Sequence, residues 1–156
     1  RLPLWHTPEQ ARREMLWAVS QADIVKISDD EVAFLWGCTP EQGAERLLGE
    51  YGVRLAMVTL GPRGCYLQNH RGAVSVPCPP VQARDTTGAG DIFGGAAASQ
   101  LLSLGKDPGE LAQEELAVVA SFASTAASLS TQVVGGIPSI PSKAAVDAVL
   151  CQAEIQ

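Results

Sequence analysis

The stretch Gly88-Ala89-Gly90-Asp91-Ile92-Phe93-Gly94-Gly95-Ala96-Ala97-Ala98 marks the point where an irregular, proline-rich approach becomes a helix. Glycines at this boundary let the backbone bend freely, so that its N–H groups can reach an anion. A helix N-terminus adds a partial positive charge at the same point. The stretch therefore predicts an anion-binding loop followed by a helix from Ile92 to Leu104. We also expect Gly94 and Gly95, followed by Ala96 to Ala98, to let this helix lie very close to a neighbouring one.

The spacing of these glycines excludes two common phosphate-binding motifs. The loop does not end in Gly-Lys-Ser/Thr, as a Walker A loop does, and it lacks the dinucleotide pattern Gly-x-Gly-x-x-Gly. Asp91 lies just inside the predicted helix, where two roles are open. It could compensate the helix dipole, as any first-turn aspartate does. It could also orient a hydroxyl group and accept its proton during phosphoryl transfer.

Helix and strand patterns alternate on both sides of this loop. Three segments have the capping pattern of helix starts: Thr7-Pro8-Glu9-Gln10, Ser28-Asp29-Asp30-Glu31 and Thr39-Pro40-Glu41-Gln42. Apolar runs predict buried strands at 24–27 and 54–60, and an antiparallel hairpin at 65–68 and 73–76. Helices are expected at about 114–130 and from Ser142 to about Ala153. This order predicts an α/β fold with a mostly parallel sheet covered by helices on both faces.

Composition narrows the class of protein. The 156 residues are 46% hydrophobic, which fits one globular domain with a sizeable core. The net charge of −6 argues against a nucleic-acid partner, which needs a basic face. No apolar run is long enough to span a bilayer. The four cysteines are scattered without metal-ligand spacing, which favours free thiols in a reducing, cytoplasmic compartment.

The segment Asp85-Thr86-Thr87-Gly88-Ala89-Gly90-Asp91 resembles, without a departure, the D-T-x-G-A-G-D motif of ribokinase-like (PfkB) sugar kinases. Val58 to Gly64 is similar to the family's strand and turn beside the nucleotide. Phe122 to Pro141 is similar to its adenine-side helix and loop. The resemblance covers nearly the whole chain from Trp5 to Pro141. It implies a three-layer α/β/α fold that phosphorylates a sugar hydroxyl with ATP, Mg²⁺ and a monovalent cation such as K⁺.

The resemblance also implies roles for the residues of the glycine-rich loop. The family's catalytic base falls on Asp91, and its anion hole falls on the N–H groups of Gly88, Ala89 and Gly90. Phosphoryl transfer depends mainly on positioning and charge stabilisation, so one oriented base and a few N–H donors supply the chemistry it needs.

Four further residues would lie along the nucleotide if the resemblance holds. Thr59, Gly61 and Gly64 fall on the family's strand and turn beside ATP, although a plain hairpin turn also explains the two glycines. Ser124 aligns with a residue that flanks adenine in some relatives. Close packing in a helix rich in Ala and Ser is the alternative for Ser124.

Cation sites are implied at two places. Asp85, the Thr87 carbonyl and Ser139, in the later glycine-rich loop, correspond to a monovalent-cation site, while a turn-stabilising role is also open for Asp85. Glu31 falls on the glutamate of the family's N-x-x-E motif, which helps hold Mg²⁺ and phosphates, often through water. Ser28 replaces the motif's Asn, and Ser28 with Glu31 also forms a capping-box pattern. The run Lys26-Ile27-Ser28-Asp29-Asp30-Glu31 resembles the fructokinase branch.

Members of this family are longer than this chain. We therefore expect residues 1–156 to form a single partial domain, the nucleotide-binding and catalytic C-terminal half of the kinase. The sugar-binding half, and a lid that often forms a homodimer contact, would lie outside it. We expect D-fructose to be converted to fructose 6-phosphate, with ribose, 2-keto-3-deoxygluconate or a nucleoside as alternative substrates. A catalytically incompetent nucleotide-binding fragment or regulatory module is the competing class, and we expect the isolated chain to be inactive.

Overall fold

A computed structural model describes residues 5–153 of the chain. Its helices are α1 (Pro8–Val19), α2 (Asp29–Trp36), α3 (Pro40–Tyr51), α4 (Ala89–Leu104), α5 (Gln113–Ser130) and α6 (Lys143–Ala153). Its strands are β1 (Ile24–Ser28), β2 (Leu55–Thr59), β3 (Cys65–Asn69) and β4 (Gly72–Val76). The predicted elements are all present, and α4 begins at Ala89 rather than at Ile92. None of the helices in this range is long and apolar enough to cross a membrane.

The four strands form one sheet in the order β1-β2-β3-β4. Strands β1 and β2 run parallel, with Ser28 opposite Thr59. The chain then reverses twice through short turns, so β3 and β4 each pair antiparallel with the preceding strand. Short turns can join only antiparallel neighbours, whereas the β1–β2 crossover carries α2 and α3. Within residues 5–153 the sheet is therefore mixed, and the expected predominance of parallel pairing is wrong.

Helices cover both faces of this sheet, which confirms the three-layer α/β/α fold. Side chains alternate along each strand. Val25 and Ile27 of β1 and Val58 of β2 pack in one cluster with residues of α1, α2 and α3. Met57 of β2 and Leu67 of β3 pack on the other side with residues of α4 and α5. Helix α6 lies against α5 outside these layers, in a cluster that contains Phe122, Ala126 and Val146.

Local side-chain caps explain why the first helices begin where they do. Thr7 accepts a hydrogen bond from the backbone N–H of Gln10 at the start of α1. Thr39 and Gln42 form a reciprocal capping box at the start of α3. Such caps satisfy N–H groups that have no partner inside the helix. The sequence prediction of these helix starts is confirmed.

The helix after the glycine-rich loop packs closely on α5, as expected, but not through its two glycines. A Cβ atom added at Gly94 or Gly95 would meet no atom within 4 Å, so neither glycine lies close to a neighbouring helix. Contact between α4 and the core comes instead from Phe93, Ala97 and Leu101. The expected contribution of Gly94 and Gly95 is therefore wrong, whereas Ala96 and Ala97 of the same motif do pack in the core formed with α5. Gly95 instead borders an open cavity of about 480 Å³.

Candidate active site

The carboxyl ends of the parallel strands β1 and β2 form the base of the candidate site. Ser28 and Thr59 are paired at these ends, and the Thr59 hydroxyl lies 3.4 Å from the Ile27 carbonyl oxygen. Arg63, in the turn after β2, donates a 2.6 Å hydrogen bond to the Asp29 carboxylate at the start of α2. This ion pair ties the turns that follow the two strands to each other. Ligands of α/β proteins characteristically bind at such strand ends.

The start of α4 provides unpaired N–H donors. Gly88 has a φ of 80°, in the left-handed region that favours glycine, and no side chain caps the helix. The Ala89 N–H donates to the Thr86 carbonyl at 3.2 Å, so this predicted anion-hole donor already has a protein partner. Within residues 5–153 the N–H groups of Gly88, Gly90 and Asp91 have no such acceptor. The uncapped helix end can therefore donate to an anion.

Asp91 lies in the first turn of α4, with its side chain exposed to solvent. Its carboxylate forms no hydrogen bond or ion pair with another described residue. Asp91 borders the 480 Å³ cavity, together with Gly88, Gly136 and Ile137. A free carboxylate beside unpaired N–H donors could accept a proton from a hydroxyl held in this cavity.

Asp85 joins the glycine-rich loop to the later loop at 134–139. One oxygen of its carboxylate accepts a 2.9 Å hydrogen bond from the Thr87 N–H, and the other accepts a 2.8 Å bond from the Gly135 N–H. Hydrogen bonds to the carboxylate lower the pKa of Asp85 below its ordinary value, the bond from the Gly135 N–H most and the bonds from Thr87 less. A Cβ atom added at Gly88 would lie 3.3 Å from the Gly136 Cα, so the two loops are in close contact. Asp85 therefore stabilises its own turn and also bridges the loops.

The residues at this loop contact fit a monovalent cation by their chemistry. Asp85 lies in the glycine-rich loop and Ser139 in the later loop. The hydrogen bond from the Gly135 N–H to Asp85 joins these two loops. Ser139 is only 4% exposed, and its hydroxyl donates to the Gly136 carbonyl at 2.7 Å. Carboxylate, carbonyl and hydroxyl oxygens are the ligands that hard cations prefer. Within the described chain no cluster of three His, Cys, Asp or Glu side chains provides a second kind of metal site.

Glu31 forms the capping box that its sequence pattern allowed. Its Oε2 atom accepts hydrogen bonds from the Ser28 N–H at 2.9 Å and from the Ser28 hydroxyl at 3.1 Å. Its Oε1 atom has no hydrogen-bond partner among the described residues. Mg²⁺ is commonly held by one or two carboxylates together with phosphates and water. The capping role is thus observed, and the free oxygen fits a water-mediated contact with Mg²⁺.

The residues expected along the nucleotide differ in their surroundings. Thr59 is half-buried at the end of β2, and Gly61 is exposed with a φ of 57°. Gly64 is buried with a φ of 105°, and a Cβ atom there would lie 2.0 Å from the Val76 carbonyl oxygen. This close approach to the end of β4 is enough to require glycine at position 64, with no need for a role beside a nucleotide. Ser124 is 3% exposed within α5, which favours the close-packing role that the sequence also allowed.

Two basic residues of the site were not among the sequence-predicted residues. Arg63 forms the ion pair with Asp29 described above. Lys26 lies in β1, and its Nζ atom would be 2.9 Å from a Cβ atom added at Gly90. The sequence feature that could have drawn attention to Lys26 is its position as a charged residue within the apolar run Ile24-Val25-Lys26-Ile27.

Comparison with known proteins shows the family to which the chain belongs. The model of the PfkB family, described as pfkB family carbohydrate kinase, matches residues 1–143. The chain belongs to the pfkB family of carbohydrate kinases. It is 41% identical to fructokinase-1 of Zea mays over 151 residues, which are 94% of this chain and 45% of that protein. This pfkB-family chain thus spans about half the length of the curated relatives it matches.

Solved structures of pfkB-type kinases have the same fold. A Vibrio cholerae O395 fructokinase double mutant, solved with fructose, ADP and a potassium ion, has a TM-score of 0.82 and 30% identity. The match covers 95% of this chain and 47% of that one. An aminoimidazole riboside kinase from Salmonella enterica, solved with its riboside and an ATP analogue, has a TM-score of 0.76 and 27% identity. That match covers 96% of this chain and 49% of the other.

Proposed function

We propose that this chain carries the nucleotide site and the catalytic base of an ATP-dependent fructose kinase. The observation that carries the proposal is the free carboxylate of Asp91 beside the unpaired N–H groups of Gly88 and Gly90. A kinase needs both features, a base for the acceptor hydroxyl and donors for the transferring phosphoryl group. The reaction would convert D-fructose and ATP to fructose 6-phosphate and ADP.

Asp91 would act first as an orienting group and then as a base. Its carboxylate would accept a hydrogen bond from the 6-hydroxyl of fructose. As the bond between that oxygen and the γ-phosphorus forms, the bond from the γ-phosphorus to the ADP oxygen breaks, and the hydroxyl proton passes to Asp91. The N–H groups of Gly88 and Gly90 would stabilise the charge on the phosphoryl oxygens throughout.

Two cations would support this chemistry without supplying the base. Mg²⁺ would neutralise phosphate charge when bound, and Glu31 would orient it through water with the oxygen that the capping box leaves free. A monovalent cation held by Asp85, Thr87 and Ser139 would fix the contact between the two loops. The Vibrio fructokinase structure, which contains a potassium ion and ADP, supports this assignment.

The choice of fructose rests on the relatives. The maize and Vibrio proteins are fructokinases, whereas the Salmonella kinase acts on a riboside and has a similar fold over the same region. We propose that the residues that select the sugar lie in an N-terminal half outside this chain. The chain itself would then bind nucleotide weakly and phosphorylate no sugar efficiently.

A substrate panel offered to the full-length protein tests the proposal. Purified protein would receive Mg·ATP in potassium buffer with fructose, ribose, 2-keto-3-deoxygluconate or a nucleoside, and ADP release would be measured. We expect the highest kcat/KM with fructose. A clear preference for another sugar would change the substrate and leave the kinase in place. Failure to release ADP with any of them would favour the incompetent nucleotide-binding module.

A further inference from the structure

An irregular stretch at 77–85, which we call the approach segment, connects β4 to the glycine-rich loop. It contains neither a helix nor a strand, and three of its residues are prolines, which have no N–H group to donate. None of its side chains is buried. Packing in the core therefore does little to hold the approach segment, and its position depends mainly on hydrogen bonds.

The C-terminal end of α5 provides the partners for these hydrogen bonds. The Thr131 carbonyl accepts the N–H of Arg84 at 2.7 Å and the N–H of Asp85 at 3.0 Å. Thr131 is the C-cap of α5, where carbonyl groups lack a partner inside the helix and carry a partial negative charge. The Ser128 hydroxyl donates to the Pro79 carbonyl at 2.9 Å. One helix end thus holds the approach segment at two separate points.

Asp85 connects the approach segment to the proposed catalytic groups. The Thr131 carbonyl holds its N–H, and the Gly135 N–H holds its carboxylate at 2.8 Å. Within residues 5–153, every hydrogen bond that joins the approach segment to a residue outside 77–91 goes to residues 128–135. A shift of Asp85 would therefore move the start of α4, where Asp91 and the unpaired N–H groups lie.

Two buried serines near the end of α5 use their hydroxyl groups differently. Ser128 is 3% exposed and Ser130 is 2% exposed. The Ser130 hydroxyl donates to the Ala127 carbonyl at 2.7 Å, inside its own helix, as serines in helices often do. The Ser128 hydroxyl instead donates outside the helix, to Pro79. A buried hydroxyl needs a partner, and the partner of Ser128 lies on the approach segment.

We propose that Ser128 is a positioning residue of the kinase, whose hydroxyl holds the approach segment and thereby keeps the start of α4 in its productive place. The inference rests on the proposed kinase function of this site. Phosphoryl transfer depends on the positions of the base and of the N–H donors, so a small displacement of the loop lowers the rate. Ser128 would touch neither nucleotide nor sugar, and its effect would pass through the approach segment to Asp85.

Alanine substitution of the two serines in the full-length protein tests this role. Ser128→Ala removes the bond to the approach segment, whereas Ser130→Ala removes a bond within the same helix turn and is the matched control. We expect Ser128→Ala to lower kcat with fructose about 10-fold through partial loss of alignment, with a smaller change in the KM for ATP. Amide hydrogen exchange at Arg84 and Asp85 should become several-fold faster in that variant. Ser130→Ala should leave kcat and this exchange at wild-type values, even where both variants melt at a lower temperature.

The two measurements separate this role from a general effect on α5. Wild-type kcat in Ser128→Ala would overturn the positioning role, even with faster exchange at Arg84 and Asp85. Equal losses of kcat in the two variants would also overturn it, because they would show a loss of helix stability. If the wild type phosphorylates no sugar, the proposed function fails, and the exchange rates still test the Ser128 contact by themselves. Unchanged exchange in Ser128→Ala would then overturn that contact.

Discussion

Asp91, in the first turn of α4, has two open roles, compensation of the helix dipole and acceptance of the hydroxyl proton. A substitution can separate them. Asp91→Asn in the full-length protein should lower turnover by orders of magnitude, because an amide cannot accept the hydroxyl proton. ATP binding should stay nearly intact, since the N–H donors are backbone groups. Glu114→Gln, in the exposed first turn of α5, is the matched control. Both changes should cost at most about 1 kcal/mol of stability through the helix dipole. Surviving turnover in Asp91→Asn would leave Asp91 as a helix-start residue.

Asp85 should make the loop contact dependent on pH. Its pKa in the folded protein is below the ordinary value of 3.8, mainly because it accepts the Gly135 N–H. Ionised Asp85 therefore stabilises the fold at pH values above 3.8, and this stabilisation is lost as the pH falls through the lower folded-state pKa. Urea unfolding should show wild type more stable than Asp85→Asn at neutral pH, with the difference shrinking in acid. A difference independent of pH would contradict this account.

The sequence predicts best the residues whose roles depend on a few adjacent positions. The Asp85 turn lies within one seven-residue motif, and the Ser28–Glu31 capping box follows from spacing alone. The catalytic role of Asp91, in the same motif, stays a prediction. The approach of Lys26 to Gly90 was not predicted, because the two residues are distant in sequence and adjacent only in the folded chain. The sequence alone could not decide between the capping role and the proposed magnesium role of Glu31, because one carboxylate can serve both. In the structure its Oε2 atom forms the cap, and its Oε1 atom remains free.

At the scale of elements, α3 contains two glycines with opposite expected effects. A Cβ atom at Gly43 would lie 2.5 Å from a methyl group of Val32 on α2, whereas one at Gly49 would meet nothing within 4 Å. Val32 is β-branched and fully buried, so it cannot easily move aside. Gly43→Ala should cost about 1–3 kcal/mol, and Gly49→Ala should add up to about 1 kcal/mol through helix propensity. Denaturant unfolding of both variants measures these changes. Equal effects would refute tight α2–α3 packing.

Element boundaries were predicted correctly where side chains set them. Thr7 and Thr39 bond to the backbone of their own helices, and the sequence contains both partners. The start of α4 was predicted at Ile92 rather than Ala89 because no side chain caps it. The pairing of strands depends on tertiary contacts, which explains why the mixed sheet was not predicted in full. The packing of α4 through Phe93 rather than through Gly94 has the same cause.

At the scale of the whole molecule, exposed apolar side chains lie beside the site and elsewhere on α4. Ile137 is 84% exposed and Ile140 is 58% exposed, and both border the cavity next to Asp91. Leu102 on α4 is 83% exposed. Exposed apolar groups of this size are typical of surfaces that bind another part of a protein or a ligand. This surface agrees with the proposal that the sugar-selecting residues lie outside the chain.

The 156-residue chain should therefore bind nucleotide without turning over sugar. The backbone N–H groups proposed to contact ATP at the start of α4 belong to this chain, whereas holding the sugar hydroxyl at Asp91 would need the proposed N-terminal half outside it. Calorimetric titration with Mg·ATP and with ADP in potassium buffer should show weak saturable binding, and a coupled assay with fructose should detect no ADP release. Fructose-dependent turnover at the rate of a complete kinase would show that the chain already contains the sugar site, because such a rate requires the hydroxyl to be held in position.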